Sequence, residues 1–166
     1  MNLYIMRHAE AEDEAESGGD EARPLTVRGR ERTRDAAGGL RALGLRFDAI
    51  LSSSLFRAAE TAELVADEYA NNPPPQVLPE LSPDVSPREA LAALTPFARH
   101  GEVLVVGHQP QLSKLVGLLL TSNGAVAIKF KKGACVALDL PKAIEPGAGE
   151  LRWMLTQRQL RKLRKS

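Results

Sequence analysis

The sequence contains a single cysteine, Cys135. One thiol excludes an intramolecular disulfide and a zinc site built from several cysteines. No stretch of about 18 apolar residues occurs, so no transmembrane helix is expected. The apolar residues before Arg7-His8 are too few for a signal peptide. We therefore expect a protein of the reducing cytoplasm that does not act at a membrane.

An excess of charge of one sign is also absent. The 22 basic residues nearly balance the 21 acidic ones, which leaves a formal net charge of +1. Because a global positive field is lacking, nucleic acid is not an expected partner. The 166 residues, 43% hydrophobic and 26% charged, fit one soluble globular domain. This composition excludes a collagen-like, coiled-coil or wholly disordered chain.

Three short, largely apolar runs predict strands that are buried on both faces, as in a parallel sheet. They cover residues 3–6, 47–51 and 103–106. Helices are expected to begin after Thr26, after Ser53 or Ser54, after Ser86 and at Pro110. Ser86 would form a capping box with Glu89. The first helix should end at Gly44 and the third at residues 99–101. This alternation predicts an α/β fold: a three-layer α/β/α sandwich with a mostly parallel central sheet.

The last third of the chain has a different pattern. In residues 126–130, 134–140 and 151–155 apolar side chains recur at every second position, which is typical of half-buried strands. Lys132-Gly133 would join the first two segments as a hairpin, and these strands would form antiparallel edges of the sheet. We expect a single domain over residues 1–157, followed by a basic tail at 158–166 that forms a solvated helical end.

Polar side chains follow three of the predicted strands. Arg7-His8 comes after the first strand, Ser52-Ser53 after the second with Arg57 in the next helix, and His108-Gln109 after the third. Because the carboxyl ends of neighbouring parallel strands lie at one edge of the sheet, these side chains should converge there. The convergence depends on these strands being neighbours.

The chemistry of this set favours a tetrahedral oxyanion. Arginine stays protonated and binds two oxygens at once, and helix N-termini add free N–H groups. Ser53 and the backbone N–H of Gln109 are placed to join Arg7 and Arg57 in binding phosphate. A metal is disfavoured, since two fixed cations would repel it. Histidine is also a competent nucleophile, so a neutral His8 could attack phosphorus while His108 binds the equatorial oxygens and, as a cation, neutralises developing charge.

The acidic segment at residues 10–23 predicts a flexible surface loop. It carries seven acidic side chains and a single basic one, Arg23, with Gly18-Gly19 between them. If this loop flanks the mouth of the site, it should discourage highly anionic metabolites and nucleotides.

Several motifs resemble those of the histidine phosphatase superfamily, also called phosphoglycerate mutase-like. In order and spacing they are similar to the SixA branch, the phosphohistidine phosphatases. The motifs are Leu-Tyr-Ile-Met-Arg-His-Ala at 3–9, Arg-Pro-Leu-Thr at 23–26, Leu-Ser-Ser-Ser-Leu-Phe-Arg-Ala-Ala-Glu-Thr at 51–61, Leu-Pro-Glu-Leu at 78–81 and Val-Val-Gly-His-Gln-Pro at 105–110.

The resemblance implies a phosphoglycerate mutase-like fold and a phosphatase that forms a covalent intermediate on His8. Arg7, Arg57 and His108 would bind and polarise the phosphoryl group, with no cofactor and no metal. The implied partner is a phosphohistidine-bearing protein, such as a phosphotransfer domain of a signalling relay. Glu80 stands at a position where many members carry a proton-donating acid, and Ala9 replaces the family glycine.

Two alternatives remain open. The same chemistry could act on a small phosphomonoester, or the pocket could bind phosphate without turnover. Between Arg57 and Val103 the chain has room for one short strand and one helix, too little for a lid over a small metabolite. An open site of this kind is suited to a phosphate displayed on a protein surface.

Overall fold

The computed structural model describes residues 1–71, 73–141 and 143–164. These residues form one six-stranded sheet in the order β3-β2-β4-β1-β5-β6. The strands are β1 (Asn2–Arg7), β2 (Ala49–Ser52), β3 (Gln76–Val77), β4 (Glu102–Gly107), β5 (Cys135–Asp139) and β6 (Glu150–Leu155). The first four run parallel, whereas β5 is antiparallel to both β1 and β6. The predicted mostly parallel sheet with antiparallel strands toward one edge is confirmed.

Helices cover both faces of the sheet, which confirms the three-layer sandwich. They are α1 (Val27–Ala42), α2 (Phe56–Ala66), α3 (Pro87–Leu94), α4 (Gln111–Thr121) and α5 (Gln157–Leu163). Successive side chains of β1 point to opposite faces. Leu3 and Ile5 pack with α3 and α4, whereas Tyr4 and Met6 pack with α1, α2 and α5. No helix in the described ranges is both long and apolar enough to span a membrane.

Two of the predicted N-caps are confirmed by side-chain hydrogen bonds. The Thr26 side chain accepts a hydrogen bond from the Gly29 N–H, and Ser86 forms the predicted capping box with Glu89. The prediction for α2 is wrong, because its N-cap position is Leu55 and the Ser53 hydroxyl contacts a histidine instead. Helix α3 also ends earlier than expected, at Leu94, where a 3-10 turn over Thr95–Phe97 replaces it.

The predicted strand at residues 126–130 and its hairpin at Lys132-Gly133 are also wrong. Both edges of β5 are already paired, one with β1 and the other with β6, so no edge is left for a further strand. Residues 126–130 form a loop whose last side chain, Phe130, enters the core. The Gly133 N–H donates to the carbonyl oxygens of Arg7 and His8, which attaches the turn to the end of β1.

The C-terminal segment packs on the domain, so the expected solvated helical end is wrong as far as Arg164. Leu160 of α5 is fully buried among α1 side chains. Gly39 lets the helices approach closely, since a Cβ there would collide with the Leu160 carbonyl. Arg161 and Arg164 add ion pairs to Asp35 at 3.4 and 2.9 Å. Residues 165 and 166 of the predicted tail lie outside the described residues.

Candidate active site

Three neighbouring parallel strands bring the predicted side chains together. Strand β4 lies between β1 and β2. Arg7 of β1 pairs with Gly107 of β4, and Ser52 of β2 pairs with Val106 of β4. The chain therefore leaves all three strands at one edge of the sheet. The rings of His8 and His108 have centroids 5.0 Å apart, and the Ser53 Oγ lies 2.6 Å from His108 Nε2. The spatial prediction for these residues is confirmed.

One ring nitrogen of His8 forms a hydrogen bond with the backbone. Its Nδ1 lies 2.8 Å from the carbonyl oxygen of Ala9, which can only accept a hydrogen bond. Nδ1 therefore carries the proton, and in the neutral ring Nε2 keeps its lone pair. Burial lowers the pKa of His8 to about 4, and the Arg57 and Arg7 cations add to this although the bond to Ala9 opposes it. The ring is neutral at physiological pH.

Ala9 fits its position without the freedom of a glycine. Its backbone does not adopt the left-handed conformation, and its side chain is fully buried beside Leu25 and Leu64. The Ala9 N–H donates to Thr61 Oγ1 at 3.1 Å, and that hydroxyl donates to the Arg57 carbonyl at 2.7 Å. This bridge fixes the turn after His8 to helix α2.

His108 is neutral in this structure as well, and its expected cationic role during the reaction stays a prediction. Burial lowers its pKa to about 3, and His8 and Arg57 contribute in the same direction. The Leu55 N–H donates to Ser53 Oγ at 3.3 Å. Because this hydroxyl already accepts a hydrogen bond from the backbone, its own proton is available for donation to His108 Nε2. The proton of the His108 ring then resides on Nδ1, which has no hydrogen-bond partner among the described residues.

The two arginines are anchored through their terminal nitrogens. Arg7 Nη1 donates to the Phe130 carbonyl at 2.9 Å. Arg57 is 5% exposed, and it donates through Nη1 to the Asp20 carbonyl at 2.8 Å and through Nη2 to the Asp20 carboxylate at 3.2 Å. In each arginine, Nε is buried with no partner in the described part of the chain.

The charges of the site favour an anion. Arg7, Arg57 and the nearby Lys132 all depress the pKa of His8, so all three lie close enough to act on it. Asp20 offsets part of this positive charge. Within residues 1–71, 73–141 and 143–164, no group of three or more His, Cys, Asp or Glu side chains could hold a metal ion. Fixed guanidinium groups beside a neutral imidazole are suited to a phosphoryl group.

Comparison with known proteins agrees with this arrangement. The family model of the histidine phosphatase superfamily (branch 1) matches residues 3–82. The chain is 32% identical to the phosphohistidine phosphatase SixA of Escherichia coli over 158 residues, which is 94% of either chain. The chain belongs to the histidine phosphatase superfamily. An uncharacterised protein of Picosynechococcus is 37% identical to this histidine phosphatase over 140 residues, 83% of the chain and 84% of that relative.

A solved structure extends the relationship to three dimensions. The protein histidine phosphatase SixA complexed with tungstate matches this histidine phosphatase with a TM-score of 0.84 at 31% identity, over 96% of the chain and 99% of that structure. The resemblance and the phosphoglycerate mutase-like fold are confirmed. The protein is therefore a phosphatase, a hydrolase of this superfamily.

Two predicted site residues make other contacts in this histidine phosphatase. The Gln109 Oε1 accepts hydrogen bonds from the Ser113 hydroxyl at 2.7 Å and from the Ser113 N–H at 3.3 Å. Glu80 lies in a 3-10 turn (Pro79–Leu81) after β3, and its carbonyl accepts from Gln111 Nε2 at 2.7 Å. Its carboxyl Oε2 is buried and unpartnered among the described residues. The proton-donating role of Glu80 and the backbone role of Gln109 stay predictions.

Sequence reasoning missed three groups that shape the site: Asp20, Thr61 and the Phe130 carbonyl. Thr61 could have been found, because it follows Arg57 by four residues and so lies on the same face of α2. Asp20 is one acid among several in its loop, and no spacing distinguishes it. The Phe130 carbonyl was hidden by the strand prediction for its segment.

Proposed function

We propose that this histidine phosphatase removes phosphate from phosphohistidine on a protein, through a covalent phospho-His8 intermediate. The observation that carries the proposal is the His8 ring, buried and neutral, with Nδ1 bound to Ala9 and Nε2 left as the lone-pair nitrogen beside Arg7, Arg57 and His108. The name of the Escherichia coli relative supports the substrate class.

In the first step His8 Nε2 attacks phosphorus in line with the leaving group. The new N–P bond forms as the P–N bond of the substrate breaks, and its electron pair stays on the substrate imidazole, which takes a proton from solvent. Positioning and charge neutralisation supply most of the rate in phosphoryl transfer. Arg7 and Arg57 provide that neutralisation, and the N–H of His108 Nδ1 donates to a phosphoryl oxygen.

In the second step water attacks phospho-His8. A new P–O bond forms, the bond between phosphorus and Nε2 breaks, and one proton of the water passes to solvent. Inorganic phosphate leaves and His8 returns to its neutral form, with Nδ1 still held by Ala9. No strong general acid is needed in either step, because both leaving groups are ring nitrogens.

The surroundings of the site support a protein substrate. Between Arg57 and Val103, the described residues continue α2 and form β3, α3 and two 3-10 turns. Helix α3 packs into the core beneath the sheet, beside α4. This stretch therefore supplies no separate lid, and a phosphohistidine on a phosphotransfer domain of a signalling relay can reach the site.

Covalent trapping tests the proposal. Wild type is mixed with a radiolabelled phosphohistidine protein and denatured in alkaline detergent, which preserves phosphohistidine. Label should appear on wild type and on His100→Ala, whose histidine precedes β4 at the opposite edge of the sheet, but not on His8→Ala. A panel of sugar phosphates and nucleotides is compared at equal concentration.

Two results would overturn the proposal. Faster hydrolysis of a small phosphomonoester than of the phosphohistidine protein would favour the metabolite phosphatase. Binding of inorganic phosphate with neither labelling nor turnover of any donor would favour the non-catalytic module.

A further inference from the structure

A basic groove lies beside the candidate site. It has a volume of about 590 Å³ and runs between the Lys131-Lys132 turn and the start of α5, where Thr156, Gln157, Arg158, Gln159 and Lys162 line it. Its lining therefore contains four basic side chains and no carboxylate.

The topology places this groove at the same edge of the sheet as His8. Met6 of β1 is in register with Cys135, the first residue of β5, and Cys135 is in register with Leu155, the last residue of β6. Strand β5 thus begins and β6 ends where β1 ends. The Gly133 N–H donates to the carbonyls of Arg7 and His8 at 3.1 and 3.2 Å, so one turn joins the groove to the nucleophile.

Three of the four basic side chains of the groove are not neutralised within the described chain. Lys131, Lys132 and Arg158 are exposed, and none of them forms an ion pair with another described residue. Arginines of helix α1 differ, because Arg28, Arg30 and Arg41 each pair with a glutamate. An incoming acidic surface could therefore bind these three cations without displacing a carboxylate of the described chain.

The opposite side of the site carries the opposite charge. Asp20, from the acidic loop at residues 10–23, contacts Arg57 of α2, which follows β2. Five further acidic side chains of this loop are exposed and form no ion pair with another described residue: Glu12, Asp13, Glu14, Glu16 and Glu21. In the sheet order, β2 and the groove strands β5 and β6 lie on either side of β1. The rim of the site is therefore negative toward β2 and positive toward β6, a polarity that can orient a partner.

We propose that the basic groove docks an acidic patch that flanks the phosphohistidine of the substrate protein. This inference rests on the proposed function and adds to it the surface chemistry of the partner. The groove attracts carboxylates while the acidic loop repels them, so the partner arrives in one orientation with its phosphohistidine over His8. Such steering accelerates association and weakens as salt increases.

Charge reversal tests the docking surface. Lys131→Glu/Arg158→Glu alters the groove and leaves Lys132, the groove cation that lowers the pKa of His8, unchanged. The probes are a histidine-phosphorylated phosphotransfer domain with carboxylates around its histidine, and phosphoramidate as a small donor. We expect kcat/KM for the domain to fall by about tenfold or more at low salt, mainly through KM. For phosphoramidate kcat/KM should stay within about twofold, because the small donor makes no use of a docking surface.

The control variant is Arg46→Glu/Arg99→Glu, which makes the same charge change before β2 and β4, at the opposite edge of the sheet. It should leave both reactions unchanged. In wild type, added salt should reduce kcat/KM for the domain, and the groove variant should lose that dependence.

The outcomes separate the two proposals. If wild type hydrolyses the domain and the groove variant does so with the same kcat/KM, the docking inference is wrong and the proposed function stands. If the groove variant loses only binding to an oligonucleotide, the groove is a nucleic-acid site instead. If wild type hydrolyses phosphoramidate but no phosphohistidine protein, both proposals fall.

Discussion

Asp20 holds the guanidinium group of Arg57 at both terminal nitrogens, through its backbone carbonyl and its carboxylate. The Arg57 side chain is 6% exposed and that of Asp20 is 64% exposed, so a buried cation meets a carboxylate from the surface. Partial burial raises the pKa of Asp20, but Arg57 and Arg23 outweigh it and hold that pKa below its usual value. Asp20 therefore stays charged, and we expect it to compete with an oxyanion for Arg57.

Asp20→Asn should tighten the binding of inorganic phosphate by about two- to fivefold, the range expected for an ion pair with one exposed partner. The gain should shrink as salt increases, since the competing charge is solvent-exposed. Competitive inhibition by phosphate measures it, with Asp13→Asn in the same loop as the control. Weaker inhibition would contradict competition and would mean that the carboxylate orients Arg57.

The core of the site could be predicted from the sequence because strand ends carry topological information. Arg7-His8, Ser53 and His108 each follow a buried strand, and neighbouring parallel strands must end at one edge. The Asp20 contact could not be predicted in this way. It depends on the path of the loop at residues 10–23, and the charge pattern of that loop is compatible with many paths.

Alternation alone was a poor guide to the last third of the chain. Residues 126–130 alternate as a strand would, but β5 has both edges paired, and pairing is not visible in a single segment. The basic residues of α5 indicated a solvated end. Helix α5 packs on the domain instead because of two residues of α1, about 120 positions earlier in the chain. Gly39 contacts Leu160, and Asp35 pairs with Arg161 and Arg164.

Ser53→Ala should reduce kcat by about tenfold, less than the loss of a donor that touches the reacting group itself. The hydroxyl acts through His108, because it fixes the ring proton on Nδ1. Nitrogen NMR of the His108 ring should show one tautomer in wild type and a mixture in the variant, a change that a purely structural role would not produce. Ser54→Ala, at the exposed neighbouring residue, should change neither quantity. A single unchanged tautomer in Ser53→Ala would contradict this role.

The lowered pKa values of both histidines predict an unusual pH dependence. Since the reactive form of His8 is neutral and its pKa is about 4, kcat/KM should stay constant as the pH falls from 8 to 5.5. A histidine with the ordinary pKa of 6.5 would already have lost half of its neutral form at pH 6.5. Initial rates with phosphoramidate, corrected for spontaneous hydrolysis, provide the profile. A half-maximal rate near pH 6.5 would contradict a buried neutral His8.

The same pKa values predict how folding stability changes with pH. Between about pH 4 and 6.5 the unfolded chain binds protons at His8 and His108 that the folded chain does not. The free energy of unfolding should therefore be highest above pH 6.5 and decrease as the pH falls through this window. Urea unfolding without phosphate measures the decrease, which should be smaller in His8→Asn. An equal slope in that variant would contradict the assignment to His8.

Leu160→Ala should lower the free energy of unfolding by about 2–5 kcal/mol, the usual cost of truncating a fully buried leucine. Leu160 has no exposed surface and packs into the core beside α1, so its truncation leaves a cavity between α5 and α1. Urea unfolding gives the change. Leu151→Ala, at a leucine that is 55% exposed, should cost about 0.5 kcal/mol or less. Equal effects of the two substitutions would mean that α5 does not pack on the domain, and that the residues after 157 form a solvated tail.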